Sequence, residues 1–316
     1  MTYCLSNNSR QSHSINLTIK MNSMLITGAL GFVGQNISRK LGERFVITTI
    51  GRGEKNDIVC DLRNSIPKLP QSYDYVVHIA GLAHDKNASE EAYMGVNYEG
   101  TKRLTQALDK VGVPKSLIFI SSVAVYGLDR GENIEESHSL NGKTPYARSK
   151  VLSEHYLKEW AKRNNVVLTI LRPSLIAGKN PKGNLGAMVR GIENGRYLSI
   201  GKADARKSVL MVEDIANVIF LSLEKGGVYN ICDDYHPTFR ELENLISQQL
   251  GNKFVIKAPL FIVKGLALLG DVLKGKLPID SNRLDKITNT LTFSNAKAKR
   301  ELGWTPLDVI SNFRIR

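Results

Sequence analysis

The sequence predicts an α/β protein, a doubly wound parallel sheet followed by a smaller lobe. Short, near-continuously apolar β-rich runs recur through the first half of the chain. Amphipathic helical stretches separate them, and the first run ends in a glycine-rich turn that opens a helix. Strands of this kind are buried on both faces, and ligands are then expected at their carboxyl ends.

The runs are MLITG (24–28), FVITTIG (45–51), IVCDL (58–62), YVVHIAG (75–81), SLIFISS (116–122) and VVLTILRP (166–173). Helical stretches between them include Tyr93 to Val111 and Pro145 to Asn164. Beyond Pro173 the pattern changes. A Gly/Asn/Lys-rich loop (177–186) leads to a helix, a segment from Val209 to Glu224, the strand VYNICD and a helix from Thr238 to Leu250. These later pieces are expected to form a smaller lobe at the open side of the sheet. The expected organisation is a sheet domain over 23–173 and a mainly substrate-binding lobe over 174–316, with interleaved boundaries. Residues 1–22 lack acidic residues and the apolar stretch of a secretory signal, and are expected to be a disordered extension.

The 316 residues are 42% hydrophobic and 23% charged, which excludes collagen-like and low-complexity chains. Cys4, Cys60 and Cys232 are far apart, so neither a disulfide framework nor a metal site is expected, and a reducing cytoplasm is the expected location. The net charge of +13 is spread along the chain without an RNA-recognition, zinc-finger or KH signature, so no nucleic-acid partner is expected. A phosphate-bearing substrate or an anionic membrane surface suits that charge equally well. No segment is expected to span a bilayer. The most apolar stretch, Pro259 to Leu273, carries Lys264 and Asp271 and falls short of the ~20 apolar residues required. Its periodicity predicts an amphipathic helix covering a core, with interfacial membrane contact as the alternative.

The first run continues as TGALGFVG, which places Gly28, Gly31 and Gly34 at G-x-x-G-x-x-G spacing around Phe32 and Val33. The first glycine permits a tight turn, the second lets backbone approach a pyrophosphate, and the third allows close helix–strand packing. The helix N-terminus that follows offers free N–H groups to the phosphates. Directly after a strand and opening a helix, this arrangement predicts dinucleotide binding. The second run ends in Ile50-Gly51-Arg52 rather than in a carboxylate that would accept from the adenosine ribose. A guanidinium there pairs with a 2′-phosphate, so NADP(H) is expected over NAD(H).

Thr144 and Pro145 mark a helix start, and Tyr146 and Lys150 then stand one turn apart on one face. A free tyrosine, with its pKa near 10, is a poor base at neutral pH. A neighbouring ammonium and a cationic nicotinamide are expected to favour tyrosinate. Ser122 ends its strand and is placed to hold a substrate oxygen with Tyr146.

With these pieces the chain resembles the extended short-chain dehydrogenases/reductases, the group of nucleotide-sugar epimerases, dehydratases and reductases. Further matches are CDL at Cys60, HIAGLAH at His78, VNYEGT at Val96, SSVAVYG at Ser121, PYARSK, LRPSLIAG, KGNL at Lys182, RKSVLMVEDIA at Arg206 and the late RELGWTP. The resemblance covers residues 23 to 307 and implies a Rossmann domain that binds NAD(P). It implies that Asp61, Leu62, Ala80, Gly81, Leu82 and Pro173 line the cofactor, that Asn97 supports the active site, and that Ser122, Tyr146 and Lys150 are catalytic. Asn184 and Leu185 then match a loop holding the diphosphate of a UDP-sugar, with Arg206, Lys207 and Arg283 as its cationic partners. Lys207 departs from the arginine usual in the group, and a lysine cannot offer a bidentate fork. A homodimer is implied by analogy alone.

The dehydratases of this group carry an Asp-Glu pair directly after the catalytic hydroxyl. Here Val123-Ala124 follow Ser122, which leaves no acid or base for elimination. Two reactions at C4 of a UDP-hexose remain, 4-epimerisation and 4-keto reduction, both implied by likeness to proteins of surface-polysaccharide pathways. A non-catalytic regulator or RNA-associated protein on the same fold is the alternative, and it would have no chemical use for a Tyr–Lys pair.

Overall fold

Seven parallel strands build the main sheet: β1 (Ser23–Thr27), β2 (Val46–Gly51), β3 (Ile58–Val59), β4 (Tyr75–His78), β5 (Ser116–Ile120), β6 (Val167–Pro173) and β7 (Gly227–Ile231). The computed structural model describes residues 21–83, 85, 87–272 and 281–316, without the side chains of 270, 272, 282 and 283. The extension expected over 1–22 therefore lies almost wholly outside the described residues. The strand order is β7-β6-β5-β4-β1-β2-β3. It runs outward in both directions from β1, so the reversal falls between β1 and β4. That crevice, at the carboxyl ends, is where a doubly wound sheet takes its ligand.

The principal helices are α1 (Phe32–Leu41), α2 (Gly100–Val111), α3 (Pro145–Asn164), α4 (Gly183–Glu193), α5 (Val212–Ser222), α6 (Phe239–Gln249), α7 (Leu260–Val272) and α8 (Ser281–Thr288). Strand residues alternate between two cores because successive side chains point to opposite faces. Met24, Ile26, Ile118 and Ile120 pack with Ile37 and Leu41 of α1 and Ile215 and Ile219 of α5. Leu25, Leu117 and Phe119 pack on the other face with Leu104 and Leu108 of α2 and Leu157 and Trp160 of α3.

One expectation is corrected and another is met on one side only. The run VYNICD does not belong to the smaller lobe: Gly227–Ile231 pairs with β6 from Gly227↔Thr169 to Ile231↔Pro173 and forms the edge of the main sheet. Parallel neighbours need a crossover, and α5 supplies it while covering the same face as α1. The helix expected over Pro259 to Leu273 forms and covers a small core with one side. Among the described side chains of α7, Val263 and Ala267, four residues apart, are buried and pack with Ile200 and Leu284, with Leu260 half-buried against them. Most of its large apolar side chains are exposed. No helix among the described residues is long and apolar enough to cross a membrane.

The smaller lobe packs α4 and α6 around Val209, Met211, Val309 and Phe313. Its strands form parallel pairs of three, Leu175–Ala177 with Val209–Met211 and Leu198–Ile200 with Ile256–Ala258. A third pair, Gly131–Ile134 with Leu291–Phe293, ties the loop beyond β5 to this lobe.

Candidate active site

At the end of β1 the chain turns through Gly28 at φ 75°, where a Cβ would come within 2.8 Å of the Ala80 nitrogen. The Gly31 N–H donates to the Gly28 carbonyl at 3.1 Å. A Cβ on Gly34 would collide with that same carbonyl, so only glycine lets α1 start this close to the strand. Gly31 caps α1 without any side-chain hydrogen bond, which leaves first-turn N–H groups available to an anion. The cradle fits a dinucleotide pyrophosphate.

It opens into a cavity of about 2140 Å³ between the sheet and the smaller lobe. That is larger than the ~300–1,000 Å³ of a single-ligand pocket, with space for a cofactor and a substrate together. Gly28, Gly31, Phe32, Val33, Gly34, Arg52, Asp61, Leu62, Ala80, Gly81, Leu82 and Pro173 line it, as do Ser122, Tyr146, Lys150, Asn184, Leu185 and Lys207. The structure thus brings together residues from 28 to 207. Asn97 and Arg206 are not on the wall, and the side chain of Arg283 lies outside the described residues.

Beyond β2, Arg52 faces a corner that it shares with Asp61 and Arg63. Arg63 donates to Asp61 Oδ2 through Nε at 3.1 Å and Nη2 at 2.7 Å. That bond, with the Arg63 and Arg52 charges behind it, holds the Asp61 carboxyl below its usual range. Two guanidinium groups against one carboxylate leave the corner net positive.

The Thr144 hydroxyl accepts from the Ala147 N–H at 3.1 Å and Pro145 occupies the first helical turn, which fixes the start of α3. Tyr146 and Lys150 project from its first turns. The Tyr146 hydroxyl shares the cavity wall with Ser122, whose Oγ accepts from the Ala124 N–H at 3.1 Å. Burial pushes the Tyr146 pKa up, and the neighbouring Ser122 hydroxyl only partly offsets it. The ammonium one turn along the helix does not add to that offset, and the reason is geometric. Lys150 Nζ donates to the Ile120 carbonyl at 2.8 Å and lies 4.6 Å from the centre of the Phe119 ring. Its charge is directed at the sheet, and its own pKa is pushed down by burial to about 8, with Glu154 acting against the shift.

Asn97 sits just behind this wall in a wide π-turn, Met94–Glu99, that runs into α2. Its Oδ1 accepts from the Leu82 N–H at 2.7 Å, and its Nδ2 donates to the Leu82 carbonyl at 3.0 Å and to Ser149 Oγ at 2.8 Å. It therefore clamps the cofactor-lining segment to α3. His78 extends the clamp. Its Nδ1 is 2.7 Å from Thr27 Oγ1 and its Nε2 is 2.8 Å from Thr101 Oγ1. Thr101 donates to the Asn97 carbonyl, so its oxygen accepts from His78 Nε2–H, and Thr27 donates to Nδ1. Full burial, with the Lys150 charge adding to it, pushes the His78 pKa down to about 3, so the ring is neutral.

At the substrate end, Arg206 and Lys207 point opposite ways. Arg206 is exposed and donates to the His236 carbonyl at 2.7 Å, over the Tyr235 ring. Lys207 is 8% exposed, lines the cavity and donates from Nζ to the Asn289 carbonyl at 2.8 Å. Burial pushes its pKa down to about 8, against the pull of Asp129.

The NAD dependent epimerase/dehydratase family model matches residues 24–232, from the first strand through β7. The chain belongs to this family. It is 28% identical over 293 residues to the N-acetyl-alpha-D-glucosaminyl-diphospho-ditrans,octacis-undecaprenol 4-epimerase of Escherichia coli O157:H7, covering 87% of this chain and 88% of that one. It is 28% identical over 309 residues to the UDP-glucose 4-epimerase of Vibrio cholerae, covering 90% of each. Among solved structures, RMD from Pseudomonas aeruginosa complexed with NADPH superposes with a TM-score of 0.72 at 22% identity, over 93% of this chain and 96% of that one, a likeness of fold.

For a member of the epimerase/dehydratase family the cavity holds cations that the motifs do not announce, Lys143 just before PYARSK among them. Arg63 directly follows the matched CDL, and only its bond to Asp61 reveals it. Lys286 reaches the wall from α8, 3.7 Å from Asp129, with no local motif around it. Lys182, the N-cap of α4, is another, and it stands within the KGNL match.

Proposed function

We propose that this family member exchanges a hydride at C4 of a sugar carried on a diphosphate, acting as an NADPH-dependent 4-ketoreductase on a UDP-4-keto-hexose. The observation that carries the reading is the placement of Ser122, Tyr146 and Lys150 on the wall of the cavity whose other end is the glycine cradle. A non-catalytic regulator would need the cradle but not this set. The bound nicotinamide supplies the hydride. Ser122 and Tyr146 hold the C4 oxygen between them, and Tyr146, kept protonated by burial, gives its proton as the carbonyl becomes an alcohol. Asn97 fixes Leu82 against α3 so that the cofactor wall and Tyr146 keep their spacing. The residues after Ser122, Val123 and Ala124, wind into a short 3-10 turn and offer no carboxylate for dehydration.

Preference for NADPH follows from the Arg52–Arg63 corner. Charge-assisted contact with a 2′-phosphate at a partly exposed site contributes about 1.5–3 kcal/mol, roughly ten- to a hundredfold in affinity. NADPH is expected to bind more tightly than NADH, and Arg52→Asp to reverse the order. Dissociation constants for the two cofactors check this, and tighter NADH binding unaffected by Arg52→Ala would overturn it.

Lys207, with the open N-terminus of α4 at Gly183 and Asn184, is assigned to the substrate diphosphate. Lys207→Ala is expected to raise KM for the UDP-sugar about tenfold or more, whereas Arg206→Ala, which alters a side chain outside the cavity, leaves it within about twofold. Equal effects of the two substitutions in steady-state kinetics would refute the assignment.

The second reading is 4-epimerisation, the activity for which the Escherichia coli and Vibrio cholerae relatives are named. The two reactions separate in one assay. Stoichiometric NADPH oxidation with a UDP-4-keto-6-deoxy-N-acetylhexosamine supports the reductase. C4 inversion without net cofactor consumption, with NAD(H) retained by the purified protein in mass spectrometry, assigns the epimerase instead.

A further inference from the structure

The exposed face of α7 has no counterpart in the chemistry described above. Val263 and Ala267 are buried, whereas Phe261 is 75%, Leu268 63% and Leu269 55% exposed, with Ile262 and Leu266 also in solvent. The segment leading into the helix adds Phe254, at 80% exposure, and Ile256. A soluble monomer gains nothing from so many large apolar groups on one short stretch, and such patches mark interaction surfaces. The charges in the same stretch are mostly of one sign. From residue 251 to residue 272 the ionisable side chains are Lys253, Lys257, Lys264 and, at the far end of α7, Asp271, all exposed, within a chain of net charge +13.

We propose that this face docks on an anionic lipid surface, with α7 lying in the interface. Apolar side chains interleaved with lysines suit the boundary between acyl chains and acidic headgroups. The 13-residue helix is about 20 Å long, too short to span the ~30 Å hydrocarbon layer. A second copy of the chain is a poorer occupant, because a twofold contact through this face would oppose the same three lysines to one another. The face also adjoins the substrate end of the cavity. Leu260 at the start of α7 and Ile287 of α8 line one small pocket, and Ile287 is on the main cavity wall as well. Leu198, another wall residue, pairs with Ile256, and both are exposed. Docking therefore stands beside the cavity, and the inference holds whichever C4 reaction the site performs.

The test is flotation of the full chain with vesicles of phosphatidylcholine, with and without phosphatidylglycerol, alongside its mass in solution. Binding is expected only to vesicles containing phosphatidylglycerol and is expected to weaken as salt rises. Phe261→Ser/Leu268→Ser/Leu269→Ser should lower the bound-to-free ratio about tenfold or more, and Lys257→Glu/Lys264→Glu should do so without altering the apolar face. Unchanged dinucleotide binding and thermal unfolding report that each variant is folded, and if the serine variant is not, the lysine reversal carries the test alone. No flotation of the wild-type chain, or equal flotation of folded variants, overturns the proposal. A wild-type dimer that fails to float and that the serine variant splits would give the face to a second copy.

Discussion

Replacing Tyr146 by Phe is expected to reduce turnover about 10²-fold or more, the range for loss of a positioned general acid. The substitution removes one oxygen and leaves the ring, which packs edge-on to Tyr93 with centroids 6.2 Å apart, so dinucleotide and substrate binding should change little. The hydroxyl stands with Ser122 on the cavity wall, and burial pushes its pKa up. A tyrosine acting as acid must carry its proton, so reduction is expected to be flat through neutral pH and to fall on the alkaline side. Lys150→Ala removes a group that itself loses its charge on the alkaline side, so that limb should move to higher pH while kcat drops. Lys150 is the better-buried partner, and its pKa near 8 places its own loss of charge on the same limb. Kinetics across pH for the wild type and both variants check the scheme. Near-full activity of Tyr146→Phe would remove the proposed acid.

Much of this site was legible because its signals are local. Three glycines at fixed spacing after a strand define a cradle by sterics alone, and Tyr146 and Lys150 share a helix face whatever surrounds them. What those side chains meet is not local. Lys150 could be expected to face Tyr146, but the Ile120 carbonyl and the Phe119 ring take its ammonium, and both come from a different strand. Arg206 and Lys207 are neighbours in an extended stretch that bridges Thr238 on one side and Leu291 on the other. Alternation sends one inward and one outward, and composition does not say which. The position of β7 was hidden for a related reason. A strand of five residues carries no record of its partner, and the chain leaves the sheet for more than fifty residues before returning to pair with β6. In α7 the apolar pattern is real, but it extends around the helix, so periodicity identifies a helix without identifying the side that is covered.

The other large effect is expected at an ion pair that positions the site without touching substrate. Arg172 on β6 and Glu154 on α3 are 2% and 0% exposed, with Arg172 Nη2 at 2.6 Å from Glu154 Oε2 and Nε at 3.0 Å from Oε1. Glu154 Oε1 also accepts from the Ser121 hydroxyl at 2.5 Å, and Arg172 Nη1 donates to the Tyr126 hydroxyl at 2.9 Å. The pair therefore ties the helix that carries Tyr146 and Lys150 to the strand end that carries Ser122. Removing one partner leaves a buried charge facing groups arranged for its absent counter-ion, at a cost of about 3–5 kcal/mol. That is a large part of the ~5–15 kcal/mol by which a native protein is stable. Glu154→Leu and Arg172→Met should each cost this much. The double variant should cost less than either, because two apolar side chains of similar volume need no partner. Activity should not follow stability. With Ser121 no longer held by α3, the double variant is expected to fold, bind dinucleotide and turn over slowly, since a displacement of about 1 Å can cost about 10²-fold. Urea unfolding of the two single variants and the double, with kcat for the double, decides the matter. If the single losses simply add in the double variant, the pair is not coupled. If the double variant keeps wild-type kcat, the pair supports the fold and not the alignment of Tyr146 with Ser122.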